Sequence, residues 1–446
     1  MTISADRPQP KGLYYGWSIV GAGVLSQIAA NGLAINCMSL FLRDWSKDLH
    51  TPISQLLLAI LALAIVASIC SPLIGMLADK YPARLLFGGG LVGMVVFTLG
   101  MSAVTATWQV WVLYGLVFPI SLSACTSITA NAVVTRWFVK RRGLALGITA
   151  FGVGIAGVFM PPLIAVVMPA IGWRGVWRIT AAVIAFVVLP LVMFVMKDRP
   201  TEREGLHYLD GPVTSTGHGH GLHGRGGSQG AGGLRFSDII KRKNFWLLVA
   251  VYVPIIALNG AIQQNMAPLA LSHGFDQKTA GLLLSALSLS HVVATLAMGV
   301  ISDRFGNRLP LIGLAVMVAA GGVLMGFGAS LPSLMIGAAL LGLGGGIYTL
   351  LPAAAAVEFG AAGTGRAFGL LMLFIPINAA VPSLVARARE TTGSYGPALT
   401  ALSIVALIGG ALVLFMRERS GGHPTPGERD AALEEMVKEE LVNPLA

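Results

Sequence analysis

His291 sits near the middle of LLLSALSLSHVVATLAMGVISDRFGNR, residues 282–308, a stretch that runs without a formal charge for the length a helix needs to cross a bilayer and then ends in a cluster of charges. An imidazole titrates near pH 6.5 in water, so it can enter such a span neutral and turn cationic when an anion and a proton arrive together. That chemistry couples proton uptake to anion binding. The structural alternative is a neutral histidine bonded to a hydroxyl or carbonyl of a neighbouring helix. Ser288, His291 and Thr295 follow at i, i+3 and i+7 and share one helical face. Tyr252, Asn259 and Gln263 do the same at i, i+7 and i+11, with Gln264 and Asn265 alongside, and Gln27 and Asn31 form an i, i+4 pair. Polar, uncharged stripes on three segments point to a solvated path between helices rather than to isolated interhelical hydrogen bonds.

The elements that would carry these stripes follow from composition. Of the 446 residues 55% are apolar and 11% charged, and the mean hydropathy is +0.76. These values exclude an ordinary soluble protein. Twelve apolar runs are long enough to cross a bilayer: about 16–42, 53–78, 85–104, 109–134, 143–168, 175–196, 245–271, 278–302, 309–329, 333–357, 366–386 and 395–416. The first is too long for the apolar core of a cleaved signal and is expected to stay in the mature chain. Cys37, Cys70 and Cys125 fall inside spans at spacings that suit neither disulfides nor a metal, so they are expected to pack.

The net charge of +10 need not mean a polyanionic partner. With both termini in the cytoplasm, all of the 30 Lys and Arg lie on the cytoplasmic side except Arg43, Lys47, Arg174, Arg178, Lys278, Arg387 and Arg389. The positive-inside rule thus accounts for the charge, and no nucleic-acid partner is expected. Clusters of His, Asp or Glu at catalytic or ligand spacing are missing from the sequence, which argues against an enzyme, and neither cofactor nor metal is expected.

Residues 197–243 break the apolar rhythm with a Gly- and charge-rich stretch, read as a cytoplasmic linker. His218, His220 and His223 lie in it without the Cys or carboxylates that would make a metal site. The expected organisation is a six-helix bundle over 1–196, the linker 197–243, a second six-helix bundle over 244–416 and a cytoplasmic tail over 417–446. The two bundles repeat. GMLADKYPAR at 75–84 returns as GVISDRFGNR at 299–308, so that Gly75, Asp79 and Arg84 fall on Gly299, Asp303 and Arg308, each 224 residues later, and Arg142 falls on Arg366.

At these residues the chain resembles the major facilitator superfamily, whose cytoplasmic motif is G-x-x-x-D-[RK]-x-G-[RK]-[RK]. The resemblance covers all twelve spans, although Pro82 stands where the second copy keeps Gly306. It implies an all-α membrane protein with twelve transmembrane helices in two six-helix pseudo-repeats, working by alternating access. Asp79 and Asp303 are then expected to cap helices of the opposite half, near Arg366 and Arg142, and with Arg84 and Arg308 to latch the outward-open state. TRWFVKRRGLALGITAFGVGIAG at 135–157 and GWRGVWRITA at 172–181 resemble, more narrowly, the monocarboxylate-porter and organic-anion branch.

That branch implies a small organic acid, monocarboxylate or aromatic carboxylate, moved with a proton through the plasma membrane, the inner membrane if the cell is bacterial. Its carriers place a lysine in the first helix and an Asp-Arg pair in the eighth. Here the matching regions hold Asn36, and His291 with Thr295, while the eleventh helix has only Asn378 inside. The architecture adds Tyr114, Thr126 and Tyr348 to the cavity. Missing cations keep open a second reading, a carrier or exporter of a neutral or amphipathic compound. A non-transporting receptor of the same fold is a third.

Overall fold

The computed structural model describes residues 15–126, 129–130, 133–134, 137–138, 142–197, 236–359, 367 and 369–416. The linker histidines 218, 220 and 223, residues 1–14 and the tail from 417 lie outside the described residues. Eleven helical stretches within them are long and apolar enough to cross a membrane. We number the spans α1 (Gly16–Asn36), α2 (Ile53–Ser71, helical on to Lys80), α3 (Ala83–Ser102), α4 (Thr107–Cys125), α7 (Lys243–Ser272), α8 (Gln277–Ser302, helical on to Phe305), α9 (Arg308–Phe327), α10 (Leu331–Phe359), α11 (Gly369–Thr392) and α12 (Gly396–Phe415). The remaining stretch, Leu144–Val195, is two spans in one trace. At 1.5 Å per residue its 52 residues would run more than twice the thickness of a bilayer if straight. The helix breaks instead at Gly172, whose φ of 70° and ψ of 163° lie outside the helical region, separating α5 from α6. Both ends return to one side: Tyr15, just before α1, donates to the Val195 carbonyl, and the Trp137 indole donates to that of Lys197. The twelve expected crossings are thus present.

Between helices in lipid no hydrophobic difference drives association, so packing and hydrogen bonds must hold them. In the first half the packing is aromatic. Trp45, Phe41, Trp177, Tyr114, Phe97 and Phe118 are fully buried against one another, with Trp45 and Trp177 stacked at 6.2 Å between ring centroids. In the second half it is close backbone contact: Gly321 and Gly322 of α9 face the Gly337 carbonyl and Ser403, and Gly409 of α12 lies against the backbone of Ala250. Large apolar residues such as Phe186, Phe194 and Leu296 are exposed on the outside, as a lipid-facing surface requires.

We call the end that holds Tyr15 and Met416 the terminal end and the opposite one the far end. At the far end Asp48 accepts from Arg174 at 2.6 Å and from the Trp173 indole at 3.0 Å, while Arg174 also donates to the Val104 carbonyl. This ties the extension of α1 to the α5–α6 turn. The Arg174 guanidinium, then Trp173, hold the Asp48 carboxyl below the usual carboxylate range. Asp276 caps α8 by accepting from the Thr279 N–H at 2.8 Å, and the same residue holds its carboxyl low.

Two points differ from expectation. The fourth span, expected to run unbroken to 134, is interrupted at Thr126 (φ −120°, ψ −140°) and is helical again at 129–130 and 133–134. The end of the expected linker is ordered as a short helix, Phe236–Ile240. The two repeated turns also differ: Gly306 ends α8 with a φ of 71°, whereas α3 starts from an extended Pro82 at φ −56° and ψ 133°.

Candidate translocation site

α8 is the pivot of the site because it packs on both α5 of the other half and α10 of its own. Toward α10 the His291 ring lies 5.9 Å from the Tyr348 ring, tilted by 32°. The contact exists because α10 carries glycine where the imidazole needs room: a β-carbon on Gly345 would stand 2.6 Å from Nδ1 of His291 and closer still to the ring carbons. Gly345 lies in a 3-10 turn, Leu343–Gly346. Thr295 donates to the His291 carbonyl at 2.8 Å and reaches that of Gly345 at 3.4 Å, and Thr349 of α10 donates to the Thr295 carbonyl at 2.9 Å. Thr295 therefore fixes the ring's backbone rather than a ligand. No described residue hydrogen-bonds the His291 ring, and Tyr348 beside it is 43% exposed inside the bundle. The imidazole itself is partly exposed.

Toward α5 the contact is tight. A β-carbon on Gly157 would stand 2.6 Å from the Ser288 hydroxyl and 3.5 Å from the Asn36 amide nitrogen, and one on Gly154 would strike Val292. Ser285 donates to the Val158 carbonyl at 2.5 Å. Gln263 of α7 donates to Asn36 Oδ1 at 3.4 Å, and Gln264 reaches the Ile35 carbonyl at 3.5 Å. Gln277 donates to the Leu40 carbonyl at 2.7 Å. Asn36, Gln263 and Ser288 thus meet where the halves join, on the far side of His291. These bonds run from one half to the other and close the far end.

The other expected residues lie elsewhere. Asn31 donates to the backbone and side-chain oxygens of Gln27, within α1. The Tyr114 hydroxyl donates to the Ala34 carbonyl inside the aromatic core, and Thr126 donates to Leu122 of its own helix. Tyr252 is wholly buried, and Asn259 donates to the Leu341 carbonyl of α10. In this conformation these side chains serve packing. Asn378 is 5% exposed with both amide atoms unbonded, a buried polar group whose partner is not a described residue. The side chains of Asp79, Arg142 and Asp303, and the whole of Arg366, lie outside the described residues. Arg84 is exposed, and Arg308 donates to the Leu414 carbonyl in its own half.

Sequence reasoning missed Gly345 as the seat of the imidazole. The signal was the run GLGGG at 342–346, since glycine repeated on an apolar helix marks close approach by a neighbour. Alanine at Gly345 should push the ring out of its seat, at a cost of about 1–3 kcal/mol typical of overpacking. The pH profile of activity should shift while the amount of folded protein in the membrane stays within about twofold. An unchanged profile would mean that the seat does not matter.

The chain is similar to known transporters over most of its length. It is 26% identical over 302 residues to "MFS-type transporter 1" of Ophiocordyceps sp. (strain BCC 1869), covering 67% of this chain and 61% of that protein's length. It is 24% identical over 426 residues to "Monocarboxylate transporter 12" of Rattus norvegicus, covering 90% of this chain and 85% of the rat protein. Its fold superposes, with a TM-score of 0.67 and 15% identity over 92% of this chain and 97% of the other, on a bacterial homologue of the human lysosomal transporter Spinster. The model of the Major Facilitator Superfamily matches residues 24–268 and 253–445, overlapping at α7. With both halves matched, and twelve spans in a 224-residue repeat, the chain belongs to the Major Facilitator Superfamily.

Proposed function

We propose that the protein carries a small organic acid, a monocarboxylate or aromatic carboxylate, together with a proton by alternating access across the plasma membrane, with both termini in the cytoplasm. The observation that carries this reading is His291, a titratable ring that is partly exposed within its span, lies beside Tyr348 and has no hydrogen bond to a described residue. A fixed charge at the bilayer centre costs about 2.5 to 3.5 kcal/mol, whereas a neutral imidazole avoids that cost until substrate and proton arrive. The likeness to a monocarboxylate transporter over nine-tenths of the chain supports the carboxylate. On this reading the terminal end is cytoplasmic, and the bonds at the far end describe a carrier closed to the outside.

The test is uptake of labelled carboxylates into proteoliposomes. An inward proton gradient should raise accumulation, and uptake indifferent to the gradient for every acid in the panel would reject proton coupling. A specific observation favours a second reading, transport of a neutral or amphipathic compound: Asn36, Gln263, Ser288 and Tyr348, which gather around the path, are all uncharged. Competition by neutral compounds but not by carboxylates in the same assay would select it.

A further inference from the structure

The repeat that relates the halves fails at one chemically informative position. α8 starts at Asp276, whose carboxylate satisfies the first-turn N–H of Thr279. The residue 224 positions earlier is Pro52, which starts α2 and has no side-chain acceptor. A helix of this length leaves its first-turn N–H groups unpaired unless something caps them. In this structure the cap comes from the other half: Glu390, at the far end of α11, accepts from the Ser54 N–H at 3.1 Å through Oε1 and from the Ser54 hydroxyl at 2.6 Å through Oε2. No reciprocal contact is possible, because the residue 224 positions before Glu390 is Val166.

We propose that Glu390 is the clasp of the far-end gate: a carboxylate that caps α2 only while the halves are closed there. An interaction biases a two-state equilibrium only if it differs between the states. Asp276 belongs to the same half as α8 and caps it in either state, so it contributes nothing to the balance. Glu390 leaves α2 when the far end opens, and the Ser54 N–H passes to water. The other bonds between the halves, from Gln277 to the Leu40 carbonyl, Gln264 to the Ile35 carbonyl, Gln263 to Asn36 Oδ1 and Ser285 to the Val158 carbonyl, join uncharged partners. Glu390 adds a charge to them, and a charge-assisted bond at a helix N-terminus is stronger than a neutral one.

The clasp rests on the alternating-access reading but not on the substrate, and its test needs none. The full-length protein, with Cys37, Cys70 and Cys125 replaced by serine and Ile35→Cys as reporter, is labelled in membranes with an impermeant maleimide added from the far side. Glu390→Gln should raise the labelling rate about threefold to tenfold, and Ser54→Ala, which keeps the carboxylate, by a smaller factor in the same direction. Pro52→Asp supplies α2 with the kind of cap that α8 has, making the cap independent of state. It should raise labelling by itself and leave Glu390→Gln with little further effect. Wild-type labelling in both Glu390→Gln and Ser54→Ala overturns the proposal, as does an effect of Glu390→Gln that is the same with and without Pro52→Asp. Failure of carboxylate uptake together with the expected labelling pattern would reject the substrate and keep the clasp.

Discussion

Replacing His291 by glutamine should abolish proton-driven accumulation of substrate while the protein still inserts and folds. Glutamine keeps a polar side chain of similar reach, so the packing beside Tyr348 and Thr295 survives, but it cannot take up a proton near neutral pH. Since no described residue bonds the imidazole, the substitution strands no protein partner. Any residual exchange driven by substrate alone should lose its pH dependence between about pH 5 and 8, the range in which an imidazole changes charge. Counterflow and gradient-driven uptake in the same vesicles separate the two. Accumulation with wild-type pH dependence would return His291 to the role of a packing residue and favour the neutral-substrate reading.

The second large effect is expected at Gly157. With the far end closed, a β-carbon there would stand 2.6 Å from the Ser288 hydroxyl and 2.9 Å from its β-carbon, on a helix of the opposite half. Valine adds two further methyl groups. The closed arrangement cannot admit them unless α5 and α8 part, at about 1–3 kcal/mol if the cost falls on that state alone. This corresponds to a population shift of about fivefold to 150-fold away from the closed far end. Gly157→Val should therefore label faster from the far side and transport more slowly, with a melting temperature close to that of the parent. A variant that transports and labels like the parent would mean that α5 and α8 separate less than the alternating-access reading requires.

The two predictions mark what was legible beforehand. His291 was conspicuous because a titratable side chain in a charge-free run stands out under any reading of composition. The twelve spans, the 224-residue repeat and the family were legible for a related reason: hydropathy and repeated motifs are written locally along the chain. Gly157 was legible as a residue permitting close approach, but not the helix that approaches it. Its neighbour Gly147, alike in sequence, faces open space. The stripe Ser288–His291–Thr295 divides between α5 and α10 because α8 touches both, and spacing along one helix does not say what lies opposite. Glu390 and Ser54 lie 336 positions apart, and nothing near either of them announces the other. Tyr114 and Tyr252 look like cavity residues by type, yet they complete the cores of their own halves.

Among the described residues π turns interrupt three spans, all in the first half: Gly32–Asn36 in α1, Leu113–Val117 in α4 and Ile184–Val188 in α6. Each such turn is one residue longer than an α turn, an insertion absorbed without breaking the helix. Beyond it every side chain is rotated by roughly 100° relative to an uninterrupted helix. Asn36 therefore follows Asn31 at a spacing of five, yet can stay close to the face that Gln27 and Asn31 begin. Deleting one residue from this turn, Leu33 for instance, would restore an ordinary helix and swing Asn36 and the Phe41–Trp45 segment to a new azimuth. The halves are thus out of phase beyond these turns: the 224-residue repeat can be aligned residue for residue along α2 and α8, but in α1, α4 and α6 equal positions in the repeat no longer point the same way.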